Sequence, residues 1–334
     1  MNLQDSRVLV TGGAGFIGSH LVEKLLKIGS GEVIVYDNFD DFYPGKNENA
    51  SIFSGKKGIR LVRGDILDRD SLNSVMKGAD IVFHLAGQAG VRYCNEQPLK
   101  ANQVNVVGTL NVLTAAKELG IKKIVCASSS SIFGDPIYLP IDEKHPANPN
   151  SPYGVSKLAA EQYCRVFGRV YGMNISCLRY FSVYGPRGRP DQVIYAFAEK
   201  IAEGKQPIIF GDGQQTRDFT FVTDTVDATV RAMESDVANN EVFNIGRGSR
   251  FTINELATKV ISGMHAESIR PIYVEKSKGD FPDTEANSEK ARQLLGWEPR
   301  VDLDEGLKLF LEWFVRARVK RSAVRLDGGS DPNC

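Results

Sequence analysis

The stretch that decides the fold is Arg7-Val8-Leu9-Val10-Thr11-Gly12-Gly13-Ala14-Gly15-Phe16-Ile17-Gly18. In it an apolar run leads into a glycine-rich turn, and an amphipathic segment, residues 20–28, follows. A second apolar run, residues 33–36, then ends on Asp37. The order strand, glycine turn, helix, strand, acid is that of a dinucleotide-binding unit, so we predict such a unit here.

The glycines and the acid also indicate which dinucleotide binds. Gly12, Gly15 and Gly18 let the backbone turn tightly and approach a pyrophosphate on the positive end of the following helix. Asp37 lies about 20 residues further on, where a carboxylate accepts hydrogen bonds from ribose hydroxyls and repels a ribose phosphate. The sequence therefore predicts NAD rather than NADP as the cofactor.

The composition is that of an ordinary globular protein and argues against several other classes of function. Of 334 residues, 42% are hydrophobic and 25% are charged, and the net charge is zero. No basic excess indicates nucleic acid or an anionic membrane as a partner. No apolar run reaches the ~18 residues of a bilayer span, and no signal peptide is recognisable, so we expect a cytoplasmic location. The five cysteines and four histidines lack metal-ligand spacing, and we predict no metal site.

Strand-like and helix-like segments alternate along the first half of the chain, which predicts a parallel sheet with helices on both faces. The expected fold class is α/β, a Rossmann doubly wound parallel sheet with a smaller mixed α/β C-terminal substrate lobe. We assign residues 1–180 to the NAD-binding domain, 181–320 mainly to the substrate lobe, and 321–334 to a flexible tail. The chain could also cross back from the second part to the first. The longer predicted helices are residues 99–119, 153–171, 193–203, 223–233, 253–261, 288–295 and 303–318.

Side chains able to do chemistry follow two of the predicted strands and begin one helix. Leu85-Ala86-Gly87 ends one strand with small residues that let a cofactor lie close, and Ser128–Ser131 ends the next. Tyr153 and Lys157 share one helix face, so both can meet one ligand. A nearby ammonium favours the phenolate, which can take an alcohol proton while hydride leaves the same carbon. A serine hydroxyl at the neighbouring strand end can hydrogen-bond the same oxygen.

These motifs resemble those of the extended short-chain dehydrogenase/reductase family, in particular its nucleotide-sugar 4-epimerases, over about residues 6–315. The matching segments are residues 11–18, Gly64-Asp65-Ile66, His84-Leu85-Ala86, Asn105, residues 128–134, Tyr153-Gly154-x-Ser156-Lys157, Arg179-Tyr180-Phe181, Tyr184-Gly185-Pro186-Arg187 and Arg217-Asp218-Phe219. The resemblance implies that Ser129 and Tyr153 are acid/base residues and that Lys157 positions NAD and tunes Tyr153.

The fingerprint and the resemblance together give two sets of binding candidates. For tightly bound NAD they are Gly12, Gly15, Phe16, Ile17, Gly18, Asp37, Asn38, Asp65, Ile66, Leu85, Ala86, Gly87, Asn105, Ser128, Tyr153, Lys157 and Tyr180. For the sugar nucleotide they are Arg92, Ser129, Ser130, Tyr153, Ser182, Arg187, Arg189, Arg217 and Asp280. The resemblance puts Arg217 and Asp280 on the nucleotide part. Arginines suit a diphosphate because their fork makes paired, charge-assisted hydrogen bonds.

The serine strand end helps to choose among the members of the family. In 4,6-dehydratases the residue resembling Ser129 is a threonine followed by Asp-Glu, whereas Ser130-Ser131 follow here. Glucuronate decarboxylases carry a glutamate where Ser131 stands. The sequences at residues 88–92 and 188–191, and a small hydroxyl residue at Ser182, look like UDP-glucuronate 4-epimerases. Family members commonly have tyrosine where Phe133 stands, and phenylalanine lacks the hydroxyl for one hydrogen bond near the sugar.

We therefore expect an epimerase that takes UDP-glucuronate to UDP-galacturonate through a transient 4-keto sugar. Tyr153 removes the proton from the hydroxyl on carbon 4, hydride passes to NAD, and the turned sugar receives it back on its other face. The keto sugar is then a β-keto acid, prone to lose carbon dioxide, so its carboxylate must be restrained. The candidates for that restraint are Ser129, Ser130 and Ser182, with Arg92 weaker.

Several alternatives stay open at this point. They are a UDP-glucose/UDP-galactose (or N-acetyl form) 4-epimerase, a UDP-glucuronate decarboxylase, a one-way ketone reductase and a catalytically dead NAD-binding regulator. The helices at residues 99–119 and 153–171 resemble the pair that forms a dimer interface in relatives, which predicts a homodimer. The same apolar stripe could instead be intramolecular core.

Overall fold

The computed structural model describes residues 3–276 and 283–326. Its strands are β1 (Arg7–Thr11), β2 (Glu32–Asp37), β3 (Ile59–Arg63), β4 (Ile81–His84), β5 (Lys123–Ser129), β6 (Ile175–Tyr180), β7 (Val183–Tyr184), β8 (Ile208–Phe210), β9 (Thr216–Arg217), β10 (Thr220–Phe221), β11 (Val242–Ile245), β12 (Phe251–Thr252) and β13 (Ile272–Val274). Its helices are α1 (Phe16–Ile28), α2 (Lys46–Ser51), α3 (Arg69–Met76), α4 (Val91–Glu96), α5 (Pro98–Asn102), α6 (Gly108–Glu118), α7 (Pro152–Tyr171), α8 (Val193–Ala202), α9 (Val222–Glu234), α10 (Ile253–Gly263), α11 (Glu289–Leu295) and α12 (Leu303–Leu326).

Seven parallel strands form the central sheet, in the order β11-β6-β5-β4-β1-β2-β3. Because β1 pairs with both β2 and β4, the strand order reverses there and a crevice opens at the carboxyl ends. Strand β1 is apolar on both faces: Val8 and Val10 pack into one core and Leu9 into the other. The predicted doubly wound parallel sheet is confirmed.

Helices cover both faces of the sheet, as apolar faces at helical spacing predict. On one side, Leu21 and Leu25 of α1 pack with Val226 of α9 against the sheet. On the other, Leu72 of α3 and Val112 of α6 complete the second core. The sheet is therefore buried on both faces, and its open edge for a ligand is the carboxyl end of its strands.

Strand β11 joins the sheet from the second half of the chain. It runs parallel to β6, with Val242 opposite Cys177 and Ile245 opposite Tyr180. Helix α9, which precedes it, packs on α1. The chain thus crosses back, and residues 222–245 belong to the sheet and its covering layer. The smaller mixed lobe contains α8, α10 and α12 with the strand pairs β8–β13 and β9–β12.

Two predicted helices differ from the structure in detail. The helix expected over residues 99–119 is interrupted by a π-helical turn at Gln103–Val107, between α5 and α6. The helix expected to end at residue 318 continues as α12 to Leu326, so the tail predicted from residue 321 begins as helix. Residues 327–334 lie outside the described part of the chain. None of the helices in the described ranges combines the length and the apolar character that crossing a membrane requires.

A buried ion pair fastens α7 to the sheet. Arg179 of β6 donates from Nη2 to Glu161 Oε1 at 2.7 Å and from Nε to Oε2 at 3.0 Å. Ser128 Oγ donates to the same Oε2 at 2.7 Å, and the Glu161 side chain is fully buried. A buried charge pair is tolerated only when its hydrogen bonds are satisfied, as they are here. The pair therefore holds α7 in one position against β5 and β6.

We expect Glu161→Ala to lower the free energy of unfolding by about 3–5 kcal/mol, because it leaves the Arg179 charge buried and unpaired. Urea unfolding followed by circular dichroism measures the loss. Glu289→Ala is the matched control, since it removes an exposed partner of Arg292 and should leave the free energy of unfolding close to that of the wild type. Equal losses in the two variants would contradict the role given to the buried pair.

Candidate active site

A cavity of about 420 Å³ opens at the carboxyl ends of β1, β4 and β5. This is where a doubly wound sheet binds its ligands. The wall contains most of the residues that the sequence assigned to a ligand. They are Gly12, Gly15, Phe16, Ile17, Gly18, Asp37, Asn38, Asp65, Ile66, Leu85, Ala86, Gly87, Ser128, Ser129, Ser130, Tyr153, Lys157, Tyr180, Ser182, Arg189 and Arg217.

The glycine turn brings the start of α1 against the ends of two strands. Gly12 has a φ of +70°, and a Cβ there would lie 2.7 Å from the Ala86 nitrogen. A Cβ at Gly18 would lie 2.1 Å from the Gly12 carbonyl oxygen. No side chain caps α1 at Gly15, so its first N–H groups and positive dipole end face the cavity. The cradle fits a dinucleotide pyrophosphate.

Asp37 ends β2 at one side of this cradle. Its Oδ2 accepts from the Ala14 N–H at 3.0 Å and its Oδ1 from the Phe39 N–H at 2.9 Å. Burial raises the pKa of the carboxyl. Nearby, Asn38 Nδ2 donates to Asp65 Oδ2 at 3.0 Å. Each carboxylate oxygen of Asp37 keeps a lone pair that can accept one more hydrogen bond. The geometry therefore permits the predicted hydrogen bonds from the ribose hydroxyls, which stay a prediction.

Helix α7 begins so that Tyr153 and Lys157 face the cavity. Ser151 caps it, its Oγ accepting from the Gly154 N–H at 3.2 Å, and Pro152 occupies its first turn. Tyr153 and Lys157 then stand one helical turn apart, and both line the cavity.

The neighbouring strand end supplies the third predicted catalytic side chain, Ser129. Its Oγ accepts from the Ser131 N–H at 3.1 Å, which leaves the hydroxyl proton for a ligand. Lys157 Nζ donates to the Ala127 carbonyl at 2.6 Å, which holds the ammonium at this strand end. The structure thus brings a phenol, an ammonium and a hydroxyl to one cavity, a set suited to moving a proton to and from an alcohol.

A second cavity, of about 280 Å³, adjoins the first. Ser182, Gln192 and Arg217 line both, so an elongated ligand can run from Tyr153 past Arg217 into the second. Arg92, predicted to contact substrate, does not line the first cavity. Its Cζ lies 3.8 Å from the centroid of the Phe210 ring, in the wall of the second.

Arg189 is held at the first cavity by its own neighbour. Its Nε and Nη2 donate to the two carboxylate oxygens of Asp191 at 2.9 and 3.0 Å. This bidentate pair fixes the plane of the guanidinium and offsets part of its charge. Arg189 therefore presents an oriented donor group, not an isolated cation.

Arg187 contradicts its prediction as a substrate residue. Its Nη2 donates to Glu23 Oε2 at 2.5 Å, and the guanidinium also contacts the ring of His20 on α1. Burial and the Arg187 charge lower the pKa of His20 to about 3, so the imidazole is a neutral partner. The guanidinium does not line either cavity, because these partners on α1 hold it outside.

Asn105 also differs from its prediction, because it supports the cavity without lining it. Its Oδ1 accepts from the Gln88 N–H at 2.7 Å, and its Nδ2 donates to the Gln88 carbonyl and to Ser156 Oγ. Asn105 lies in the π-helical turn and is buried, and Gln88 and Ser156 take up the hydrogen bonds of its amide. A further candidate, Asp280, lies outside the described residues.

The sequence missed several residues of the cavity wall. Phe42, Tyr43 and Lys46 come from the segment after β2, which the sequence analysis did not connect with the site. Gln88 and Gln192 also contribute. The sequence did contain one indication of this contribution, namely two adjacent aromatic residues inside an otherwise polar segment. Aromatic residues are uncommon in fully exposed loops.

Comparisons with known proteins agree with this geometry. Residues 8–246 match the family described as "NAD dependent epimerase/dehydratase family". A UDP-glucose 4-epimerase of Mycolicibacterium smegmatis is 37% identical over 92% of this chain and 98% of its own length. A UDP-glucuronate 4-epimerase of Thermodesulfobacterium geofontis is 36% identical over 91% and 95%.

Among solved structures, this chain is similar to a UDP-glucuronic acid 4-epimerase from Bacillus cereus, crystallised with UDP-glucuronic acid and NAD. The TM-score is 0.88 at 34% identity, and the match covers 93% of this chain and 99% of that one. The likeness therefore extends through the sheet and the smaller lobe.

Proposed function

Because the chain belongs to the NAD dependent epimerase/dehydratase family, we propose that it inverts carbon 4 of a UDP-sugar, converting UDP-glucuronate to UDP-galacturonate. The observation that carries this proposal is the meeting of Ser129, Tyr153 and Lys157 at one cavity, beside a glycine cradle that fits NAD. The three side chains can handle the proton of a sugar hydroxyl while its carbon exchanges a hydride.

The residues divide the chemistry between them. NAD, when bound, supplies reversible hydride acceptance. The Tyr153 phenolate takes the proton from the hydroxyl on carbon 4, and it returns that proton when the hydride comes back. Lys157, fixed by the Ala127 carbonyl, holds its ammonium group at the cavity wall that Tyr153 also lines. Ser129 donates its free proton to the same sugar oxygen.

Inversion requires the sugar to present its second face without leaving the protein. The two adjoining cavities allow this, because the nucleotide can stay in the second while the sugar turns in the first. Arg217 lines both cavities, and an arginine there suits the diphosphate about which the sugar turns.

The sugar itself is argued from the site, because relatives named for glucose and for glucuronate are almost equally similar to this chain. Ser130 and Ser182 line the cavity, and neither side chain makes a hydrogen bond to another described residue. Their hydroxyls can therefore hold a carboxylate, and Arg189 adds a donor of the right charge. Such restraint keeps the bond between the carboxylate and the sugar ring from aligning with the ketone, and so prevents the β-keto acid from losing carbon dioxide.

A second candidate is UDP-glucose 4-epimerase. The ion pair between Arg189 and Asp191 favours this candidate. An arginine that is already paired with a carboxylate attracts the carboxylate of a glucuronate less strongly. Decarboxylation of UDP-glucuronate is a further alternative, and release of carbon dioxide would reveal it.

We expect Tyr153→Phe to reduce turnover by about 10²–10⁴-fold, because the proton of the carbon 4 hydroxyl loses its acceptor. NAD content, measured on the denatured protein by chromatography, should stay as in the wild type. Tyr171→Phe, at an exposed position at the end of the same helix, is the matched control and should leave turnover unchanged. Near-normal turnover of Tyr153→Phe would reject the assignment.

We expect Ser182→Asn to reduce kcat/KM for UDP-glucuronate by about tenfold more than for UDP-glucose, since a hydrogen bond to a charged group is the larger loss. Product NMR with each sugar nucleotide measures both reactions on one protein. The neutral sugar is the internal control for general damage to the site. Equal losses would show that Ser182 does not recognise the carboxylate, and wild-type inversion of UDP-glucose alone would favour the second candidate.

We also propose that the protein is a homodimer. Helix α7 keeps Val155, Tyr163, Val166 and Val170 between 38% and 60% exposed, at spacings that place them on one face. Leu99 and Val107, on the adjacent helical segment, are exposed as well. A contiguous apolar face of this kind is typical of a protein–protein interface, and a second copy of the same face is its simplest cover.

Light scattering should give about twice the chain mass of 36.8 kDa. The double variant Val166→Asp/Val170→Asp should give a monomer, because dimerisation would remove the two new carboxylates from water at a cost in free energy. Val315→Asp is the control, since Val315 is exposed on α12 of the smaller lobe and should not alter the mass. A wild-type monomer would contradict the proposal.

A further inference from the structure

The segment between β2 and α2 places a buried phenol over the cavity. Tyr43 lines the cavity wall, and its hydroxyl oxygen is buried. Among the residues that the structure describes, that hydroxyl donates its proton to no acceptor, while the backbone N–H of Phe16 faces its oxygen. Leaving a buried hydroxyl unpaired costs free energy, so such a group calls for a partner that occupies the cavity.

The Tyr43 hydroxyl lies at the start of α1. A Cβ at Gly15, the residue that begins this helix, would be 3.5 Å from it. The first N–H groups of α1 and the positive end of its dipole point to the same place. Burial raises the pKa of the Tyr43 phenol, with the Arg189 charge acting in the opposite direction, so the group remains a neutral donor. The Tyr43 hydroxyl and the first N–H groups of α1 thus lie beside one position suited to an anionic oxygen.

The segment that carries Tyr43 is anchored at both ends. Phe42 packs edge-on against Tyr93 of α4, with 4.7 Å between ring centroids. Lys46 pairs with Asp40 and lies over the Tyr43 ring. Just beyond it, Asn49 Nδ2 donates to the Ala14 carbonyl of the glycine turn at 3.0 Å. A ligand on the start of α1 would therefore be enclosed between the glycine turn and a fastened loop.

We propose that Tyr43 is a cofactor-retention residue: its hydroxyl donates to the pyrophosphate of the bound dinucleotide, and residues 39–46 hold it there as a closed strap. The inference rests on the proposed function for the identity of the ligand. Retention matters to that chemistry, because the hydride removed from one sugar must return to the same sugar. A reduced cofactor that escaped midway would leave a keto sugar and a protein without cofactor.

The test compares Tyr43→Phe with Tyr93→Phe in the full-length protein, without any sugar. Tyr43→Phe keeps the ring and removes the donor, whereas Tyr93→Phe removes a hydroxyl outside the cavity wall and keeps the ring that packs on Phe42. NAD retained through gel filtration is measured by chromatography, and its dissociation rate is measured after dilution into an enzyme that consumes free NAD. We expect Tyr43→Phe to release NAD about 10- to 100-fold faster, the loss appropriate to a hydrogen bond to a charged group. Tyr93→Phe should match the wild type.

A second variant, Phe42→Ala, tests the strap separately from the hydrogen bond. It should speed both binding and release of NAD, because the loop loses its packing on Tyr93. Release from Tyr43→Phe at the wild-type rate would overturn the proposal, as would equal acceleration in Tyr43→Phe and Tyr93→Phe. The NAD dissociation rates are measured without any sugar, so they do not depend on whether the protein is an epimerase. Failure of epimerisation leaves the dissociation rates unaffected, and wild-type rates in Tyr43→Phe leave epimerisation unaffected.

Discussion

The close approach of the first turn of α1 to the glycine turn is the constraint on which the site depends. Gly12, Gly18 and the backbone at Ala86 meet with no room for a Cβ between them. The ends of β1 and β4 and the start of α1 consequently form one continuous backbone surface. A ligand phosphate on that surface contacts N–H groups directly, and its position is fixed relative to every strand of the sheet.

A second rigid connection relates that surface to the catalytic side chains. Helix α7 is held by the buried Glu161–Arg179 pair, and Lys157 reaches the Ala127 carbonyl at the end of β5. Ser128 joins the two, since its hydroxyl binds Glu161 while its backbone belongs to β5. The phenol of Tyr153 is thus placed by the sheet that also places the cofactor cradle. The buried charges of Glu161 and Arg179 thus help to fix the position of the catalytic side chains.

Local sequence was sufficient where local geometry decides the structure. The glycine spacing predicted the turn, the buried runs predicted parallel strands, and the spacing of Tyr153 and Lys157 predicted a shared helix face. It was insufficient where the partner is distant in the chain. Arg187 pairs with Glu23, and Asn105 binds Gln88 through a π-helical turn that no residue pattern marked. Tyr43 was missed for the same reason, because its place over α1 follows from the packing of Phe42 on Tyr93.

The return of the chain to the sheet through β11 also bears on how the protein is synthesised. On the ribosome, the nascent chain completes β6 some sixty residues before β11, so β6 waits as an edge strand with a free row of N–H and C=O groups. Such an edge pairs readily with other chains, which exposes the half-made protein to aggregation and to capture by chaperones. A fragment of the protein that ends near residue 180 would keep β6 as an exposed edge strand. The two parts of the chain therefore depend on each other for folding, despite their different roles.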